Sequence, residues 1–227
     1  MEKKQSMASS SPWIRIEMDV WENLLEKRYL RKFNENTIIY QQSQPAKTLY
    51  IVQSGRVRIT SYLRNGNEKQ LYIVEKGCCF GESDCFIGGH FSTSAVTIVK
   101  SQIYVIPFSE FEVEARKNWQ LMRNMAGIIS RKNNVLARQA LDQSFGQSYQ
   151  RVVNVLLNLG REYGVAVPEG LKISIRFTHQ DVANIANASR VTVNKIFHDL
   201  ADQNIICRQD GRYILCNQEI LAEIVRG

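Results

Sequence analysis

Thr178-His-Gln-Asp181-Val-Ala-Asn-Ile-Ala186-Asn-Ala-Ser189-Arg190-Val-Thr-Val-Asn194-Lys-Ile-Phe-His-Asp-Leu200 is the stretch whose reading decides the fold. Thr178 is a hydroxyl residue at the head of a helical pattern, with Asp181 three residues on, the spacing of a capping box. Val182, Ile185 and Ala186 recur at helical steps and give that first helix an inner face. Asn187-Ala188 is a short turn, and Ser189 caps a second helix. In the second helix Val193, Ile196, Phe197 and Leu200 face inward, which leaves Arg190, Val191, Asn194 and Lys195 outward near its start. Two capped helices joined in this way predict a helix-turn-helix. A helix that offers Arg, Asn and Lys from its first turns suits the major groove of double-stranded DNA, because Arg matches guanine O6/N7 and Asn matches adenine N6/N7. The plain alternative is a helical hairpin with a solvated face, and the paired caps argue against it. The candidate DNA-contacting residues are Thr178, His179, Gln180, Ser189, Arg190, Val191, Thr192, Asn194 and Lys195.

Downstream, Ile205 to Leu215 alternates about Asp210-Gly211, a pair suited to the positive φ angles of a tight hairpin turn, so a wing follows the helices. Upstream, Val152 to Tyr163 is helical and Leu171 to Phe177 alternates as a strand. From about Arg31 to Ile106 the chain reads as short strands: Thr37–Tyr40, Thr48–Val52, Arg56–Thr60, Lys69–Val74 and Ala95–Val99, with a hairpin expected at Asn65-Gly66. That spacing predicts a β-barrel or sandwich. The pattern changes at Pro107. A helical region then runs to about Gln143 with no Pro and a single Gly, Gly127. Leu121, Met125, Ile128/Ile129, Lys132, Val135/Leu136 and Gln139/Ala140 recur along it, a seam suited to a second copy of the chain, with a polar break at Lys132. One amphipathic helix packed on its own barrel is the competing reading. Ser144 to Ser148 reads as a hinge.

The 227 residues are enough for one large domain or two modest ones, and 44% hydrophobic with 22% charged residues is ordinary for a globular protein. The net charge of +7 invites a nucleic-acid partner, yet residues 146–227 hold 9 Lys/Arg against 8 Asp/Glu, so the excess lies elsewhere. Global charge therefore supports DNA binding only weakly. Five cysteines without a CxxC pair, and no run approaching ~20 apolar residues, lead to an expectation of a reduced, cytoplasmic protein with no metal site and no membrane partner.

With these blocks in view, the chain resembles the Crp–Fnr regulators from Phe33 to about Asn217. The resemblance rests on Tyr50-Ile-Val-Gln-Ser-Gly55-Arg-Val-Arg-Ile, on Phe80-Gly81-Glu82, and above all on Thr178 to Asp181 and Ser189 to Val193. It implies an α+β fold: an N-terminal cyclic-nucleotide-binding-type β-roll (1–106), a long dimerisation helix (107–143), a hinge (144–148) and a C-terminal winged helix-turn-helix (149–227). It also implies a homodimer that binds a palindromic promoter site, answers to a small-molecule effector and works with RNA polymerase. Arg190, Val191 and Lys195 fall on the family's principal base-reading positions. Phe80, Gly81, Glu82, Ser83, Ser92, Thr93, Val135 and Leu136 fall on the effector pocket. There the sequence departs from the cyclic AMP receptor proteins: Ser92 and Thr93 stand where an Arg-Ser pair holds the cyclic phosphate. Val135 and Leu136 replace the polar pair that meets adenine. A buried phosphate without a cation is costly, so cyclic AMP is not the expected effector.

Alternatives remain open at this point. Cys78, Cys79 and Cys85 around Gly81-Glu82 could form a redox sensor, although a buried Cys commonly acts as a small hydrophobe. His90, with Cys85 near it, could ligate haem, although a lone loop His is usually solvated. The roll could also be a scaffold under a constitutive DNA-binding protein. No nucleophile triad, P-loop or metal cluster supports an enzyme, and no cofactor is expected.

Overall fold

A computed structural model describes residues 11–25, 30–62, 68–145 and 147–226; for Asn23 and residues 142–145 it describes the backbone alone. The expected hairpin turn at Asn65-Gly66 lies outside the described residues. Contacts fall into two compact units, residues 1–137 and 138–227.

The first unit is a β-roll built from two sheets. Strands β1 (Trp13–Ile14), β3 (Ile38–Tyr40), β5 (Val57–Tyr62), β6 (Glu68–Val74) and β8 (Ser94–Thr97) form one sheet in the order β1-β6-β5-β8-β3. Strands β2 (Leu30–Phe33), β4 (Thr48–Ser54), β7 (Cys79–Phe80) and β9 (Ser101–Pro107) form the other in the order β2-β9-β4-β7. Their β-branched and aromatic residues suit a pleated surface with one buried face. Leu49, Ile51, Ile59, Phe80, Ile103 and Ile106 lie in the core. A short α1 (Glu22–Leu25) seats beside Trp21, whose indole N–H donates to the Gly77 carbonyl at 2.6 Å. The short strands β1, β2 and β7, and α2 (Glu82–Ile87), did not figure in the sequence expectation.

Beyond Pro107 the single helical region expected from the sequence is two helices, α3 (Phe108–Lys117) and α4 (Trp119–Phe145). Asn118 breaks the run with extended backbone (φ −133°, ψ 94°), and its Oδ1 accepts a 3.2 Å bond from the Leu121 N–H. Asn does here what Pro or Gly does elsewhere: its short side chain satisfies a backbone donor at the head of the new helix. α4 extends to Phe145, past the start of the expected hinge, and α5 (Ser148–Tyr163) begins shortly after.

The seam requires a correction. Leu121, Met125, Ile128, Lys132 and Val135, read as facing a second copy, are buried against the chain's own roll. Two stripes run along α4, and the roll has claimed this one. The outward stripe is Trp119, Met122, Ala126, Ile129, Asn133, Leu136 and Ala140, half-buried or exposed, with Trp119 79% exposed. Its steps of three and four residues make an unbroken heptad repeat with one Asn at a core position.

The second unit carries α5, the hairpin β10 (Gly164–Val167) and β11 (Gly170–Ile173), α6 (His179–Ala186), α7 (Arg190–Asp202), the hairpin β12 (Ile206–Gln209) and β13 (Arg212–Leu215), and α8 (Gln218–Arg226). Its strands form one sheet in the order β10-β11-β13-β12. The wing turn is as expected: Asp210 (φ 51°) and Gly211 (φ 72°) both adopt positive φ between paired Gln209 and Arg212. The strand expected over Leu171–Phe177 stops at Ile173, and β10 and α8 were not foreseen.

Phe111 is fully buried where α3 meets the roll, with ring centroids 5.7 Å from Phe108 and 6.0 Å from Phe86. Phe111→Ala is expected to cost about 3–5 kcal/mol of roll stability. Urea unfolding followed by fluorescence checks this; a loss under about 1 kcal/mol would mean that α3 contributes little to the roll.

Candidate nucleic-acid interface and effector site

Local chemistry defines both helices of the 178–202 segment. The Thr178 hydroxyl accepts from the Asp181 N–H at 3.1 Å, and the Asp181 carboxylate accepts from the Thr178 N–H at 2.7 Å, a reciprocal capping box. α6 ends at Asn187 in the left-handed region (φ 51°), a conformation that Asn tolerates better than most residues. The Ser189 hydroxyl accepts from the Thr192 N–H at 2.9 Å and caps α7. Arg151 of α5 closes the turn from outside, donating to the carbonyls of Ala186 (2.8 Å) and Asn187 (3.1 Å). Sequence reading missed this Arg. A basic residue early in the preceding helix was its only local signal.

The predicted DNA-contacting residues separate into two groups. Gln180, Arg190, Val191, Asn194 and Lys195 lie on the exposed side, with Val191 66% exposed. Val193, Ile196, Phe197 and Leu200 are buried beneath them. Thr178, Ser189 and Thr192 are engaged in capping bonds, so their side chains shape the helices. His179 is half-buried: its Nε2 lies 2.8 Å from the Tyr213 hydroxyl, and its ring packs on Phe197 at 4.7 Å. Phe177 and Tyr213 complete this aromatic cluster, which ties the wing to α7.

In the roll, Gly81 carries a left-handed backbone (φ 82°), and a Cβ there would stand 3.0 Å from the Thr48 carbonyl oxygen. The next residue, Glu82, is 1% exposed, and its Oε1 lies 2.6 Å from the Lys132 ammonium, itself 4% exposed. Lys132 also donates to the Cys79 carbonyl at 2.8 Å and stands 5.6 Å from the centre of the Tyr72 ring. Burial alone would lower the Lys132 pKa. The facing Glu82 carboxylate reverses that and holds it well above the usual lysine value, so the ammonium stays charged. The sequence thus suggested a site without a cation, and α4 supplies one from the other side.

Around the pair the rings of Tyr40, Tyr50, Phe80 and Phe91 stack, Tyr40 and Phe91 at 3.9 Å and Tyr50 and Phe80 at 5.0 Å. Ser92 donates both its N–H and its hydroxyl to the Asp84 carboxylate, each at 3.1 Å. Thr93 meets the Tyr40 hydroxyl at 3.2 Å. Ser83 is exposed, its hydroxyl 3.2 Å from Glu82; Val135 is buried and Leu136 is half-buried on the outward stripe. Burial pushes the Cys78 thiol up to about 12 and Cys85 up to about 11, which keeps both as poorly reactive thiols. His90 is exposed, and among the described residues no three His, Cys, Asp or Glu side chains group as metal ligands.

Comparison with known proteins draws the two units together. The Cyclic nucleotide-binding domain family matches residues 30–118, and the Crp-like helix-turn-helix domain family matches residues 150–224. The chain belongs to the Crp–Fnr family. It is a DNA-binding transcription regulator, and its relatives are regulators, not enzymes. It is 29% identical over 203 residues to the CRP-like cAMP-activated global transcriptional regulator of Mycobacterium tuberculosis, covering 86% of this chain and 87% of that one. It is 26% identical over 212 residues to the Anaerobic regulatory protein of Bacillus subtilis, covering 91% and 87%. Among solved structures it resembles the c-di-GMP responsive global regulator CLP of Xanthomonas campestris (TM-score 0.76, 21% identity, 88% of this chain and 99% of that one). It also resembles FixK2 of Bradyrhizobium japonicum (TM-score 0.75, 21% identity, 87% and 96%), which supports the fold. No helix of the described residues is long and apolar enough to cross a membrane.

His179 yields a pH prediction for this regulator. Burial lowers its pKa below the ordinary 6.5 against the opposing hydrogen bond with Asn194, and the charges of Arg190 and Arg208 add smaller downward contributions. The unfolded chain therefore takes up the proton before the folded one does. The stability from neutral His179 is fully present above about pH 6.5 and is lost as pH falls toward the lowered value. Thermal melts between pH 7.5 and 5 should show this loss in wild type and a flatter profile in His179→Phe. Parallel profiles would mean that His179 is not the titrating group.

Proposed function

We propose that this regulator binds an inverted-repeat DNA site as a homodimer, α7 lying in the major groove, in the cytoplasm and in concert with RNA polymerase. Residues 107–143 would serve as the dimerisation region and 149–227 as the DNA-binding domain, joined at 144–148. The observation that carries this reading is the exposed first turns of α7, where Arg190, Val191, Asn194 and Lys195 project from a twice-capped helix pair over a buried apolar face. Of the residues first considered for DNA contact, Gln180 joins these four. Thr178, His179, Ser189 and Thr192 hold them in place. A small-molecule effector acting at the roll would be something other than cyclic AMP, since Ser92 is bonded to an acidic residue and Val135 is buried in the core.

Two identical reading heads about a twofold axis imply half-site centres ~34–36 Å apart. Arg190→Ala is expected to cost roughly 1–3 kcal/mol per contact and to relax the choice of guanine at one position. Val191 cannot accept a hydrogen bond from cytosine but can pack on a thymine methyl. Selection from random DNA with wild type and Val191→Glu should therefore yield different bases there. Identical choices would remove residue 191 from the groove.

The outward stripe of α4 is the proposed dimer seam, with Asn133 facing its counterpart. Ile129→Lys with Leu136→Lys should give a folded monomer in analytical ultracentrifugation, with DNA binding weakened at least tenfold. A double variant that stays dimeric would place the seam elsewhere.

A further inference from the structure

Lys132 is the one Lys or Arg buried as a whole residue among the described residues, and it lies mid-way along α4. It reaches three separate parts of the roll at once: the Glu82 carboxylate on α2, the Cys79 carbonyl on β7 and the Tyr72 ring on β6. Glu82 Oε2 is buried without a hydrogen-bond partner, so the joint is retained although its satisfaction is incomplete. A buried ion pair contributes little net stability compared with apolar packing, and in some proteins it instead fixes which arrangement forms. Most of the rest of the α4 contact is apolar and non-directional, Leu121, Met125, Ile128 and Val135 with Met122 and Ile129 at its edge; its other polar ties, Asn124 to the Val20 carbonyl at 3.3 Å and Arg131 to the Arg15 carbonyl at 3.2 Å, come from side chains that are not buried. Such a surface resists rolling of a helix about its axis less sharply than a buried ion pair does. A 2.6 Å ammonium–carboxylate contact cannot follow that motion.

Rotation is what matters, because Lys132 and Asn133 are neighbours on the helix. Lys132 turned inward leaves Asn133 exposed and Met122, Ile129 and Leu136 half-buried at the edge of the contact. Rolled the other way, α4 would bring a charge toward the seam and bury Asn133 against the roll. Ser92 and Thr93 are occupied from within the chain, by Asp84 and Tyr40. We propose that the Lys132–Glu82 pair sets the rotation of α4 on the roll, so that the DNA-competent dimer forms without a small-molecule effector. Lys132 is then a positioning residue, and the chain itself supplies the differential contacts that a ligand would otherwise have to provide.

This proposal rests on the DNA-binding, dimeric reading above, and the experiment separates the two. The full-length chain is purified, dialysed and checked by mass spectrometry for released small molecules, then assayed with a duplex chosen by random-DNA selection. Wild type should bind with nothing added, and cyclic AMP should leave its affinity unchanged. Lys132→Met combined with Glu82→Leu removes both charges and leaves an apolar core that folds, with a melting temperature equal to or above wild type. That variant should dimerise and bind the duplex at least tenfold more weakly. Wild-type dimerisation and affinity in the double variant would overturn the proposal, as would a wild type that binds only after cell extract is added. Failure of wild type to select any DNA, with or without extract, would instead sink the DNA-binding reading and the proposal with it.

Discussion

A charged ammonium in a protein interior must meet an opposite charge, and in this chain that requirement joins α4 to the roll. The nearest acid is Glu82, which sits at the turn where Gly81 alone permits the backbone to pass so close to Thr48. With Lys132 facing Glu82, Met125, Ile128 and Val135 lie in the core, Asn133 is exposed, and Ile129 and Leu136 are half-buried between the two. The surface proposed for a partner lies on the face of the helix next to this electrostatic contact.

The reading head depends on a different kind of contact. Its two helices are bounded by side chains that bond to neighbouring backbone, Thr178 with Asp181 and Ser189 with Thr192. Arg151 and the His179–Tyr213 pair then attach those helices to α5 and the wing. Side chains first considered as DNA contacts turn out to be occupied in this scaffold, and that is a functional role of another sort. The capping bonds of Thr178 and Ser189 and the packing of His179 fix the helix from which Arg190 and Asn194 project.

Much of the fold could be read without coordinates. The helix-turn-helix, its caps and the Asp210-Gly211 turn depend on residues within a few positions of one another, and such local chemistry leaves a direct trace in the chain. Most of the larger strands of the roll were visible in the same way, but β9 (Ser101–Pro107) was not among them. Short strands such as Cys79–Phe80 were not, since two residues carry no periodicity and form only because β4 offers a ladder beside them. The break at Asn118 was hidden because an Asn inside a helical pattern looks permissible until its side chain is seen to bond the Leu121 N–H.

On its own, the sequence determined the helix-turn-helix and which residues of α7 point outward, because both are written in local spacing, and the motifs within it carried the resemblance to the family. Tertiary structure decided which stripe of α4 belongs to the roll, since a heptad pattern with apolar residues on two neighbouring faces fits either assignment. It also decided the role of Lys132. Read in sequence, Lys132 interrupts an apolar seam. Its partner lies 50 residues away, and only the folding of α4 against α2 brings ammonium and carboxylate to hydrogen-bonding distance.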